Sequence, residues 1–107
     1  MKFNMNGRTY EILEMNQDDF QKQMGEIDGQ YFGLTIPDKQ EIWLLNTLSA
    51  EQKRKTLYHE LVHCYMFNYI SFNSIKFDED DWADICANSH DMIHEIVEMY
   101  FQNKKTR

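Results

Sequence analysis

The chain has 107 residues, of which 42% are hydrophobic and 27% charged, enough for one hydrophobic core and too few for two. This balance predicts a single folded domain over residues 1–107 and excludes a largely disordered chain. The formal net charge of −7 makes nucleic acid and anionic membranes unfavourable partners, and basic peptides would be attracted.

The sequence predicts a cytoplasmic protein. No apolar run reaches the length of a membrane span, and residues 1–6 lack the apolar core of a secretory signal. Cys64 and Cys86 are too few for a disulfide framework, and they lack the CxxC spacing of a zinc or redox site. Because each falls in a predicted helix, we expect both to be reduced, buried thiols.

The first predicted elements are a β-hairpin and a short helix. The dipeptide Asn6-Gly7 separates predicted strands over 2–5 and 8–14, and Asn-Gly is the strongest short-range signal for a type I′ turn. A short helix over 16–24 follows. Its candidate N-caps are Asn16 and Asp18.

A second hairpin and a long helix come next. Aromatic and β-branched runs over 31–36 and 41–45 flank a turn whose first backbone dihedral is preset by Pro37. The sequence Ser49-Ala50-Glu51-Gln52 then has the form of a capping box, in which the hydroxyl and the amide each satisfy a free backbone donor. A long helix is therefore predicted to begin at Ser49.

That long helix contains the motif His59-Glu60-Leu61-Val62-His63. The two histidines are one turn apart and differ by about 40° around the helix axis, so both rings can reach one metal ion. Glu60 lies beside them and is free to handle protons, as in zinc hydrolase sites. Such a polar strip on an otherwise buried helix costs desolvation energy unless a metal or a partner compensates it. The expected apolar positions around it are Leu57, Tyr58, Leu61, Val62, Cys64, Tyr65 and Tyr69.

A linker over 71–78 leads into a second long helix that is predicted to run to about Asn103. Acidic residues Glu79, Asp80 and Asp81 lie in its first turn, where the helix dipole favours negative charge. The expected apolar stripe of this helix comprises Trp82, Ile85, Cys86, Ile93, Ile96, Val97 and Tyr100.

A catalytic zinc ion needs a third protein ligand, because it normally has three together with a water molecule. The downstream candidates are Glu79, Asp80, Asp81, Asp84, His90 and His94. The two histidines lie several turns along the second helix, which makes them poor choices if the start of that helix approaches the metal. Asp80 and Asp84 are one turn apart, so one could bind the metal while the other accepts an imidazole N–H.

These motifs resemble those of known zinc metallopeptidases. One is similar to the gluzincin pattern of thermolysin-type peptidases: HELVH is followed by sixteen residues and then by Asp80-x-x-x-Asp84-Ile85. The approach through 41–45 and 55–57 is similar to small ImmA/IrrE-like and SprT-like metallopeptidase domains of phages and mobile elements. The resemblance covers residues 31 to about 88.

The resemblance implies a minimal zincin-like α+β fold, in which a small antiparallel sheet of two hairpins packs on the HExxH helix and a C-terminal helix. It implies Zn²⁺ bound by His59, His63 and Asp80, with Glu60 as the catalytic residue. The family ligand is commonly Glu, so Glu79 stays as the alternative to Asp80. It also implies that an exposed strand lines the cleft, so that a peptide could add along 41–45 or the neighbouring strand.

The predicted function is zinc-dependent hydrolysis of peptide bonds in a peptide or protein substrate, with Glu60 activating a zinc-bound water. The alternative is a non-catalytic zinc-binding module for regulation or protein interaction, since a chain of 107 residues leaves little room for substrate subsites. Glu60 favours the enzyme, because a structural zinc site needs no base and is normally closed by a fourth protein ligand. The candidate oxyanion donors are Tyr31, Tyr58 and Tyr65, although packing is the simpler role for each.

Overall fold

The strands of the N-terminal half form one four-stranded sheet in the computed structural model, which describes residues 1–25, 31–70 and 78–105. Its spatial order is β1-β2-β4-β3. The strands are β1 (Lys2–Met5), β2 (Arg8–Met15), β3 (Gly33–Ile36) and β4 (Glu41–Leu45). The helices are α1 (Gln17–Met24), α2 (Ala50–Tyr69) and α3 (Glu79–Lys105). The α+β class is confirmed.

Both predicted hairpins are present, and their turns use the residues that the sequence singled out. Asn6 and Gly7 have φ values of 52° and 78°, the two left-handed positions that a type I′ turn requires. Between β3 and β4, a short 3₁₀ turn spans Pro37–Lys39 and is followed by Gln40, whose φ is 53°. The turns therefore set the antiparallel registers of β1 with β2 and of β3 with β4.

The sheet is mixed rather than wholly antiparallel, because β2 and β4 pair in parallel from Glu11 opposite Glu41 to Met15 opposite Leu45. The two hairpins are thus joined side by side, with α1 in the connection that a parallel pair requires. Turn signals report only on strands that are adjacent in sequence. The parallel pair consequently escaped prediction, although the unbroken apolar run Ile42–Leu45 is typical of a central strand covered on both faces.

Side chains from the two faces of the sheet enter two separate cores. Ile42 and Leu44 of β4 face α2 and α3, whereas Trp43 and Leu45 face α1. The core on the side of α1 contains Phe20, Ile36, Trp43 and Leu45. The larger core contains Phe3, Met5, Tyr10, Ile12, Ile42, Leu44, Leu57, Leu61, Cys64, Ile93, Ile96, Val97 and Tyr100.

The predicted helix starts are close to the observed ones, with changes in the capping bonds. Asn16, not Asp18, caps α1. Its side-chain oxygen accepts the backbone N–H of Asp19, and its own backbone N–H donates to the Asp19 carboxylate. Ser49 Oγ accepts the backbone N–H of Gln52 at 3.2 Å, as predicted. The Gln52 amide donates forward to Thr56 instead of back to Ser49.

Helix α3 begins with a reciprocal pair between Asp78 and Asp81, each accepting the backbone N–H of the other. Five of the seven residues predicted for its apolar stripe are buried, whereas Trp82 and Cys86 are exposed. Nearly all of the predicted linker over 71–78 lies outside the described residues. No described helix is both long enough and apolar enough to cross a membrane.

The two cysteines have different surroundings. Both are free thiols; Cys64 is buried in the larger core, where burial raises its pKa to about 11. Cys86 is exposed, so the expectation of two buried thiols is wrong for this residue. The apolar stripe predicted for α3 is wider than the face that the sheet and α2 cover.

Candidate active site

The apolar residues of α2 orient the HELVH motif. Leu57 and Leu61 are fully buried against the sheet, which turns His59 and His63 to the exposed side of the helix. Glu60 lies on the flank that faces β3, and only 7% of it is exposed. The helix therefore presents two accessible imidazoles with a buried carboxylate beside them.

The two imidazole rings meet through the nitrogens that would bind a metal. Nε2 of His59 and Nε2 of His63 are 3.2 Å apart. Two histidine nitrogens bound tetrahedrally to one zinc ion at about 2.0–2.1 Å would be about 3.3 Å apart. The observed distance therefore fits one shared zinc ion with little rearrangement of either ring.

Glu60 is held by a residue that the sequence did not indicate. The hydroxyl oxygen of Thr35, in β3, lies 2.9 Å from Oε1 and 3.0 Å from the backbone carbonyl oxygen of Glu60. A threonine hydroxyl carries one hydrogen, so it donates to one of these two acceptors at a time. Thr35 thus fixes the buried carboxylate relative to the edge of the sheet.

Gly33 allows β3 to approach α2 closely at the same place. A Cβ atom at this position would lie 2.6 Å from Cγ2 of Thr56, 3.0 Å from Cγ of Glu60 and 3.1 Å from its Oε2. Thr56 and Glu60 are both buried, so neither side chain has room to withdraw. The absence of a side chain at Gly33 therefore allows β3 to lie against the carboxylate of Glu60.

A cleft between β3 and α2 opens on both sides of Glu60. Its larger part, of about 420 Å³, is named here the Lys55 pocket and is lined by Tyr31, Phe32, Gly33, Gln52, Lys55, Thr56, His59 and Glu60. The smaller part, of about 290 Å³, is named the Phe67 pocket and is lined by Tyr31, Gly33, Leu34, Thr35, His59, Glu60, His63 and Phe67. The exposed imidazole of His59 and the carboxylate of Glu60 border both pockets.

The strand beside this cleft is at one edge of the described sheet. In the order β1-β2-β4-β3, β3 pairs with β4 and with no other described strand, whereas β4 is bonded to strands on both sides. Of the two strands considered for peptide addition, residues 41–45 are therefore excluded. Gly33–Ile36 can accept an added strand along its open edge.

The described residues do not bring the acidic candidates to the two histidines. Glu79, Asp80 and Asp84 are exposed at the start of α3, and Asp81 is bonded to Asp78. Within 1–25, 31–70 and 78–105, no three His, Cys, Asp or Glu residues form a group that could hold a metal. The structure thus assembles His59, Glu60 and His63, and Asp80 stays a prediction.

The remaining candidates have other neighbours. His94 Nδ1 lies 2.5 Å from the hydroxyl of Tyr58, and the His94 ring stacks on His90 with centroids 5.8 Å apart. The contact between Tyr58 and His94 joins α2 to α3, and Tyr58 lines neither pocket. Tyr65 contacts the ring of Tyr69 instead, so of the three candidate oxyanion donors only Tyr31 lines the cleft.

The chain matches a family of known proteins. The family model described as IrrE N-terminal-like domain, peptidase family M78, matches residues 14–101. The matched range runs from the end of β2 through α2 and most of α3, so it includes HELVH and both walls of the cleft. No curated protein and no solved structure matches the chain.

Proposed function

Because the chain belongs to the IrrE N-terminal-like family of M78 peptidases, we propose that it is a zinc-dependent endopeptidase whose general base is Glu60. One observation carries the proposal above all. The buried Glu60 lines the same pocket as His59 and His63, whose Nε2 atoms are 3.2 Å apart. A base next to an accessible histidine pair is the arrangement that a hydrolytic zinc site requires.

His59 and His63 would hold the zinc ion through Nε2, and we propose Asp80 as the third ligand, with Glu79 as the alternative. Asp84, one turn beyond Asp80, is proposed to accept an imidazole N–H and so orient the ring. When bound, zinc supplies Lewis-acid chemistry: it polarises the substrate carbonyl and makes water acidic enough to react near neutral pH.

Glu60 moves the proton. Its carboxylate takes a proton from the attacking water and later delivers it to the amine that leaves, so the base of the first step is the acid of the second. Thr35 holds Oε1 during this cycle, and the close approach of β3 at Gly33 limits the movement of the Glu60 side chain. The substrate is a peptide chain that lies along the open edge of β3, which brings a backbone carbonyl past Glu60.

The proposal is tested with purified protein and an unstructured protein such as casein, with the products identified by mass spectrometry. We expect cleavage that stops after treatment with a zinc chelator and returns with added Zn²⁺ but not with Mg²⁺. Asp80→Asn should lose zinc, whereas Asp91→Asn, an exposed change farther along α3, should keep it. Cleavage that continues after complete removal of zinc would contradict the proposal.

Thr35→Val tests the support of the general base. The change leaves a buried carboxylate without the hydroxyl that holds it, so we expect kcat to fall about tenfold with little change in KM. Thr35→Ser keeps the hydroxyl and is the matched control, in which kcat should stay close to that of the wild type. If Val and Ser at this position give equal rates, the hydrogen bond has no part in catalysis.

A further inference from the structure

The two pockets beside Glu60 differ in charge. A lysine lines the Lys55 pocket, whereas the described residues that line the Phe67 pocket include no lysine or arginine. Among the residues that the structure describes, Glu60 is the only carboxylate that lines either pocket, and Thr35 already holds it. Substrate side chains on the two sides of the scissile bond therefore meet different chemistry.

Lys55 differs from the two basic residues that precede it. Lys53 pairs with Glu14 of β2 at 2.6 Å, and Arg54 pairs with Glu98 of α3. Within the described parts of the chain, no carboxylate forms an ion pair with Lys55. The first two cations thus link α2 to its neighbours, whereas the third lines the cleft.

A local partner for Lys55 is available but is not used. Glu51 lies one turn earlier on α2, and a Glu followed four residues later by Lys is a favourable pair on a helix. The structure has no ion pair between these two residues. Among the described residues, therefore, no carboxylate competes with a ligand for the ammonium group of Lys55.

The other lining groups suit a carboxylate. Gln52 Nε2 donates one hydrogen to Thr56 Oγ1 at 3.2 Å, and a primary amide has a second N–H to donate. The rings of Tyr31 and Phe32, which are 38% and 41% exposed, provide an apolar wall for the methylene part of a side chain. An ammonium group and an amide N–H match the two oxygens of one carboxylate.

We propose that the Lys55 pocket binds an Asp or Glu side chain of the substrate, next to the scissile bond, and that Lys55 determines this specificity. The inference rests on the proposed peptidase function, because it places the acidic residue relative to the bond that Glu60 attacks. The chain's net charge of −7 favours a substrate that is not acidic as a whole, whereas the pocket selects one acidic side chain within it. The expected substrate is a neutral or basic segment with a single acidic residue at this position.

The test uses positional-scanning libraries of peptides with amidated C-termini, so that a carboxylate can come only from a side chain. Cleavage is measured with the zinc-loaded wild type, and binding is measured separately with zinc-loaded Glu60→Gln. We expect Asp and Glu to be preferred about fivefold at one position in both measurements, the gain from one partly exposed ion pair. Lys55→Met should remove this preference, and Lys55→Glu should replace it with a preference for Lys and Arg.

The control is Lys22→Glu, the same charge change on the exposed face of α1, which should keep the wild-type preference. The inference is overturned if these amidated peptides show no acidic preference, or if the preference persists in Lys55→Met. Acidic peptides that bind but are never cleaved would support the pocket and contradict the peptidase function. Cleavage without any acidic preference would support the peptidase function and contradict the pocket.

Discussion

Glu60→Gln should lower kcat for peptide hydrolysis about a thousandfold while leaving the fold and the bound zinc intact. The amide has nearly the shape of the carboxylate, and its oxygen can still accept the hydroxyl of Thr35. It cannot take a proton from water at neutral pH. The expected result is therefore a loss of turnover with little change in KM, melting temperature or zinc content, measured on one preparation.

The matched control is Glu51→Gln, the same change at an exposed position on α2, for which we expect wild-type rates. This pair of variants also separates the enzyme from a non-catalytic zinc module. A module that acts by binding would keep its biological effect in Glu60→Gln. Turnover by Glu60→Gln at more than a tenth of the wild-type rate would remove Glu60 from the role of general base.

Gly33→Ala should impair both stability and catalysis. The added methyl group would lie 2.6 Å from Thr56 and 3.0 Å from Glu60, so β3 must move away from α2 or the two buried side chains must shift. Such overpacking costs about 2 kcal/mol of unfolding free energy. Because Glu60 is one of the two neighbours, we also expect a lower kcat per folded molecule, measured after correction for the unfolded fraction.

Gly25→Ala is the control for that variant. Gly25 has a φ of 77°, so Ala is strained there, but apart from its chain neighbours no described residue has an atom within 4 Å of the new methyl group. The change should destabilise the fold by about 1 kcal/mol and leave kcat unchanged. Equal kcat values for Gly33→Ala and Gly25→Ala would mean that the approach of β3 does not position Glu60.

The helix that carries the site could be predicted from the sequence in some detail. Its N-cap at Ser49, the buried positions Leu57, Leu61 and Cys64, and the placement of His59 and His63 on another side of the helix follow from periodicity and capping alone. These are local properties of the chain, set by 3.6 residues per turn and by the need to satisfy backbone donors. The hairpins were predictable for the same reason, since each turn lies between the strands that it connects.

What the sequence could not provide is the contact between distant segments. Thr35 and Gly33 lie close to Glu60 in the folded chain, but they are 25 and 27 residues away from it in the sequence. No periodic pattern marks a threonine as the partner of a particular carboxylate, and an isolated glycine in a strand indicates only that something approaches closely. The parallel pairing of β2 with β4 places β3 at the edge, so the cleft itself depends on a non-local pairing.

The most direct test of the proposed zinc site is the zinc content of the purified chain at a fixed, buffered concentration of free zinc. Elemental analysis should find one zinc ion per wild-type chain and less than a tenth of that in the double variant His59→Ala, His63→Ala. The double variant should remain folded, because both side chains are exposed. A wild-type chain without zinc under these conditions, or equal zinc in the double variant, would contradict the claim that this histidine pair forms a zinc site.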